Sequence, residues 1–187
     1  MKISHLVIAA MGTMALAAPV MADDNSGSSS TPTPEQQCRT EQTQMGSATF
    51  KQTYGTNKNK SNAFGKCVSK RTTATSDANE QAHTNAAKSC KAEEAADPAA
   101  FQTKYGTGKN GSNAYGKCVS QTAKAQENQQ VSDETSADVS AAKSCKAERA
   151  ADPAAFKAKY GTNKNKSNAF GKCVSQKAKA QQDSQTS

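Results

Sequence analysis

The chain has 187 residues, 34% hydrophobic and 5% aromatic, with no Trp and a formal net charge of +8. Every Leu and Ile lies before residue 17, and beyond residue 22 only Phe, Tyr, Val and Met45 remain as large apolar side chains. That excludes a single large core of the usual aliphatic kind, and small modules without one usually need a covalent staple.

The first stretch, MKISHLVIAAMGTMALAAPVMA, reads as a secretory signal peptide over residues 1–22. Lys2 gives the charged start, Leu6 to Ala18 the apolar run, and Val20 and Ala22 the small residues before a cut at Ala22–Asp23. The run is short for a bilayer core of ~30 Å. No later segment is apolar enough to span one. Cleavage would leave a charge of about +7, because Lys2 departs and all 16 acids remain. Residues 23–35 (DDNSGSSSTPTPE) are rich in Ser, Thr and Pro and predict disorder.

Beyond residue 35 one cassette repeats three times, over 36–70, 86–123 and 140–182. The third copy shows its expected elements. Ala141 to Ala151 is an Ala-rich helix. Asp152-Pro153 restarts the chain, with Asp as N-cap and Pro at the first helical position. A short second helix carries Phe156 and Tyr160 on one face. Gly161 is the expected left-handed C-cap, TNKNK a polar loop and Ser167 the next N-cap. Phe170, Cys173, Val174 and Ala178 then form the stripe of a third, amphipathic helix. Gly171 interrupts that helix, as Gly65 and Gly116 do in the other copies, and predicts close approach of another backbone. Tyr115 stands where the other copies have Phe64 and Phe170, which predicts a ring edge reaching water. The first copy lacks Asp-Pro and has Met45-Gly46-Ser47 instead.

Residues 71–85 and the acidic 124–139 are polar, with little to bury, and predict flexible linkers; 183–187 predict a frayed tail. The expected fold is therefore all-α: three small disulfide-stapled helical modules of two to three helices each, joined by flexible polar linkers.

Each cassette holds two cysteines: Cys38 and Cys67, Cys90 and Cys118, Cys145 and Cys173. Six cysteines behind a signal peptide imply disulfides in an oxidising compartment, with 15 possible connectivities. Spacing within cassettes is nearly constant, 29, 28 and 28, whereas spacing between them varies, 23 and 27. Pairing within cassettes follows. The absence of CxxC argues against a redox or metal-binding use.

The segment YGTNKNKSNAFGKCVS, with Cys-Lys-Ala-Glu upstream, resembles a Cys-paired repeat of uncharacterised secreted proteins of actinobacteria and related bacteria. The resemblance covers residues 38–70, 88–125 and 143–180. It implies a bacterial exported protein built from small helical disulfide modules, secreted or held in the cell envelope, and carries no site residues with it.

The most site-like feature is GT(N/G)KN(K/G)SNA, at 55–63, 106–114 and 161–169. Lys58, Lys60, Lys109, Lys164 and Lys166, with neighbouring Asn side chains and the next helix N-terminus, form a candidate anion-contact loop. The competing and favoured reading is a turn followed by a cap. Asn59, Asn110 and Asn165 stand in N-x-S sequons, which the same turn chemistry also spells. No cassette contains His, since His5 lies in the signal and His83 in a linker, so the commonest general base and metal ligand are missing. Glu41, Glu93 and Glu148 each follow the first cysteine by three positions, expected as surface residues paired with a nearby Lys; no second acid recurs beside them. No catalytic, cofactor-binding or metal site is expected. The sequence thus predicts a non-enzymatic exported array that binds an anionic wall polymer or other extracellular polyanion weakly, through repetition. The alternative is a structural spacer without ligand, with an enzyme third.

Overall fold

The computed structural model describes residues 31–108 and 110–185. The expected signal peptide, most of the Ser/Thr/Pro-rich segment, Lys109 and the last two residues lie outside them. The described chain opens with a capping box. The Thr33 hydroxyl accepts from the Gln36 amide, and the Gln36 side chain accepts from the Thr33 amide. Helix α1 follows over Pro34–Met45. Gly46, at φ 81°, breaks it where the other copies use Asp-Pro, and α2 spans Ser47–Tyr54.

Helix α3 then runs from Ala63 to Ala96 over 34 residues, and α5 from Ala114 to Ala151 over 38. At 1.5 Å per residue these are rods of about 50 and 57 Å. Between them, Asp97 caps α4 (Pro98–Tyr105) by accepting from the Ala100 amide. Asp152 accepts from the Ala154 and Ala155 amides and caps α6 (Pro153–Tyr160), and α7 covers Ala169–Gln185. Among the described residues there are seven helices and no strand.

The expected flexible linkers are not seen. Residues 71–85 lie inside α3, and 124–139 inside α5. The two helices run antiparallel in contact: Arg71 meets Asp138, Asn79 meets Glu127, and Ala82 and Ala86 pack beside Ala123. Each polar segment covers the other's small face. Alanine costs almost no side-chain entropy on burial and is the best helix former, so the segments need few large apolar residues; Val131 and Val139 are the buried ones.

This hairpin carries the chain from the first cassette to the second along α3, and back to the third along α5. Cassettes 1 and 3 therefore share one end, and cassette 2 forms the other. The expectation of three separate small cores is corrected accordingly. One core joins Met45, Phe50 and Tyr54 of cassette 1 to Phe156, Tyr160, Phe170 and Val174 of cassette 3. Cassette 2 keeps a smaller core around Phe101, Ala114 and its cysteines. Disulfides join Cys38 to Cys67, Cys90 to Cys118 and Cys145 to Cys173, each within one cassette, with Cα atoms 6.0 Å apart. Each ties the first helix of its cassette to the third.

Gly171 meets another backbone as expected. A Cβ there would lie 2.9 Å from the Thr53 carbonyl oxygen, where α2 packs on α7. Gly65 and Gly116 meet nothing within 4 Å, which corrects the expectation for those two positions.

Candidate functional site

Gly55, Gly106 and Gly161 end the short helices, each donating its amide to the carbonyl four residues back. Their φ values are −69°, −71° and −76°, so they are not the left-handed caps expected. The left-handed residues come five positions later: Lys60 (φ 58°), Gly111 (φ 59°) and Lys166 (φ 55°). A residue larger than glycine is excluded there for a different reason. A Cβ on Gly55, Gly106 or Gly161 would stand 2.5–2.6 Å from a carbonyl oxygen of its own helix.

The loop closes on itself. Asn62, Asn113 and Asn168 each accept from the amide of Thr56, Thr107 and Thr162 at 3.0–3.1 Å, and return a bond to the same Thr hydroxyl. Asn57 donates to Ser61, and Asn163 to Ser167, both at 2.9 Å. Ser61 and Ser167 are thus loop braces rather than N-caps. Helices α3 and α5 begin after Asn62 and Asn113. The Lys60 ammonium donates to the Gly55 carbonyl at 2.7 Å, and Lys166 to Gly161 at 2.9 Å. Of the five candidate anion-contact lysines, Lys60 and Lys166 are therefore part of the turn. Lys58 and Lys164 are exposed at the tips, and Lys109 is outside the described residues.

The fold adds something the repeat alone does not contain: loops 1 and 3 lie side by side. Between them is a cleft of about 310 Å³, lined by Gln52, Thr56, Lys60, Asn163, Asn168 and Lys172 among other polar residues, with no carboxylate. Lys172 was not among the sequence candidates. Only the packing of α2 on α7 puts it opposite loop 1. The surrounding charge is uneven. Residues 140–182 hold ten cations against Glu148 and Asp152, and residues 31–70 hold six against Glu35 and Glu41. The mid-hairpin surface is acidic, with Asp77, Asp133 and Glu134 lining one shallow groove.

A second constellation recurs in every cassette. Glu41, Glu93 and Glu148 each accept a hydrogen bond from the tyrosine that ends the short helix: Tyr54, Tyr105 and Tyr160. A cation completes the group. Glu93 pairs with Lys104 at 2.7 Å, and Glu148 with Lys159 at 2.9 Å and Lys177 at 2.8 Å. Bonds from Lys177 and Lys159 hold the Glu148 carboxyl down at about 2, and the Lys104 bond lowers Glu93. These two are the Lys-paired surface acids the sequence suggests.

Glu41 is not, because it is fully buried. Four positions beyond the second cysteine, where cassette 3 has Lys177, cassette 1 has Arg71, also fully buried. Its Nε lies 2.6 Å from Glu41, its Nη1 2.8 Å from Glu134, and Nη2 also pairs with Asp138. Lys70 reaches Asp138 at 2.7 Å from the solvent side, and the Tyr54 hydroxyl lies 3.1 Å from the same oxygen. Burial raises Glu41 above the usual carboxylate range despite Arg71 beside it. Burial also works against the Arg71 charge, but Glu41 and Asp138 outweigh it and keep the guanidinium protonated. The Tyr54 phenol is pushed well up by burial, then by Asp138 and Glu41. A guanidinium fills the space among these acids, so the cluster is a clamp between α1, α3 and α5 rather than an open acid–base pair. Among the described residues no group of three or more His, Cys, Asp or Glu is placed to hold a metal ion, and no helix is long and apolar enough to cross a membrane.

Comparison with protein-family models, curated proteins and solved structures found no match.

Proposed function

We propose that this is an exported, non-enzymatic repeat protein that holds an anionic polymer or surface of the cell envelope against the basic end formed by cassettes 1 and 3. One observation carries the reading: the hairpin sets loops 1 and 3 around a carboxylate-free cleft, with Lys60 and Lys172 on its walls and Lys58 and Lys164 at the loop tips. A single exposed lysine is worth little where salt screens charges over about 8 Å. Several cations fixed together by packing lose less entropy on contact than cations on separate strings. The three disulfides suit an oxidising compartment, and the resemblance to a repeat of secreted bacterial proteins fits the same address. The alternative, a ligand-free spacer, is favoured by the self-closure of the loops.

The test is retention on heparin and on anionic wall polymer under a rising salt gradient. Lys58→Gln/Lys164→Gln/Lys172→Gln leaves the turn lysines intact, so helicity should be unchanged while elution moves to much lower salt. Lys91→Gln/Lys117→Gln in cassette 2 should elute close to the parent. Equal retention of the triple variant and the parent would leave the spacer reading standing.

A further inference from the structure

The groove between α1 and α5 holds two buried acceptors that no donor of the described residues reaches. The residue before the first cysteine is serine in cassettes 2 and 3, and both Ser89 and Ser144 are exposed. Cassette 1 has Gln37 there, and α1 packs on α5, so Gln37 is only 3% exposed. Its amide nitrogen is engaged. It donates to the Pro32 carbonyl at 2.8 Å and to the Thr75 hydroxyl at 3.4 Å. Its Oε1 is buried and has no partner among the described residues. On the α5 wall of the same groove, the Oδ1 of Asn128 is buried without a partner as well. Buried side-chain acceptors almost always have a donor in a folded protein. An unpaired one opposes folding, whereas an apolar side chain of like size carries no such cost.

The groove has a volume of about 230 Å³, several times the ~30 Å³ share of one water molecule in the liquid. Its lining decides what it can take. No residue along it is charged, so it offers no counter-charge to an anion or a metal ion. Gln44, Ser132 and Thr135 add groups that both donate and accept. Pro32 and Val131 are its apolar residues, too few for the side-chain pockets that a bound peptide helix or strand needs. A ligand matched to this groove is small, uncharged and rich in O–H groups. Each such group can donate to an amide oxygen and accept from a neighbour. A sugar ring has that chemistry.

We infer that the groove between α1 and α5 binds one uncharged sugar unit of a glycan, with Gln37 and Asn128 accepting from its hydroxyls. The two amide oxygens then gain the donors that the fold does not supply. The groove shares no residue with the cleft between loops 1 and 3, so sugar binding is independent of anion binding.

Two-dimensional NMR of the oxidised protein tests it, with maltotriose, mannotriose and chitotriose as probes and N-acetyl-trialanine amide as a neutral peptide control. At least one of the sugars should shift the side-chain amide signals of Gln37 and Asn128 saturably, and the peptide should not. Asn128→Leu removes an acceptor that has no donor. It should weaken sugar binding at least tenfold while the urea midpoint stays at or above that of the parent. Gln37→Met should weaken binding as well. Lys58→Gln/Lys164→Gln/Lys172→Gln should bind the sugar as the parent does, whatever becomes of its retention on anionic polymer. The inference is overturned if none of the three sugars gives a saturable shift, which would leave the groove to water. It also fails if the peptide shifts the two amides as strongly, or if Asn128→Leu binds like the parent. A lowered urea midpoint for Asn128→Leu would show instead that Asn128 serves the fold.

Discussion

At the scale of single residues, one set of positions has two chemical outcomes. The Glu three places after the first cysteine and the Tyr before the loop meet in every cassette, and burial decides what they do. In cassette 3 the group is at the surface. The Glu148 carboxyl is held at about 2, far below an unfolded glutamate, by Lys177 and Lys159. A depressed acid stabilises the fold above its unfolded pKa, near 4.3, and loses that contribution as pH falls toward 2. The NMR titration of Glu148 should therefore have its midpoint well below that of a model glutamate, and Lys177→Met should move it back up; a midpoint above 4 in the parent would contradict the ion pairs. In cassette 1 the group is buried, and the balance differs. A buried pair gains little net stability over apolar packing, but removing one partner strands the other charge. Arg71→Met leaves the buried Glu41 without its cation and Asp138 with Lys70 alone, and should cost about 3–5 kcal/mol in urea unfolding, whereas Arg71→Met/Glu41→Gln/Asp138→Asn should recover much of the loss. A cost under about 1 kcal/mol for the single change would show that the clamp does not form.

At the scale of elements, the short helices and their Asp N-caps were legible because their signals are local, whereas the left-handed cap expected at Gly161 and the N-cap expected at Ser167 were not found. Asp-Pro, the Phe–Tyr pair and the polar loop each act within a few residues of themselves, and Asp97 and Asp152 cap as their chemistry requires. The long helices were not legible. Segments 71–85 and 124–139 lack the large apolar stripe that marks a packed helix, because what they bury is two alanines, two valines and the Arg71–Asp138 pair, and such burial depends on a partner distant in sequence. The buried clamp was hidden for the same reason. Arg71 and Asp138 are 67 positions apart, and each alone reads as a surface charge in a polar stretch. The recurring Glu was visible, but only the fold distinguishes Glu41 from Glu93 and Glu148. Likewise the basic loops could be read, while their pairing around a cleft and the part played by Lys172 required the hairpin.

At the scale of the whole molecule, the difference between beads on strings and one hairpin is a difference in cooperativity. Each disulfide closes a loop worth roughly 3–4 kcal/mol of chain entropy, which would steady a lone cassette. Yet the aromatics of cassette 1 are packed against those of cassette 3, and Arg71 and Asp138 fasten α3 to α5. Opening one cassette would expose the core of the other, so the described chain should unfold as one unit with its disulfides intact. Hydrogen exchange gives the sharpest reading. Amides of residues 71–85 and 124–139 should be protected to the same order as those around Cys67 and Cys145, because opening either segment exposes Ala82, Ala86, Ala123 and Val131 and breaks the clamp. Flexible linkers would exchange at the rate of an unstructured peptide. That outcome would also dissolve the cleft between loops 1 and 3, since only the antiparallel run of α3 and α5 returns cassette 3 to cassette 1. The proposed anion-contact end therefore stands or falls with the protection of two segments that contain none of its lysines.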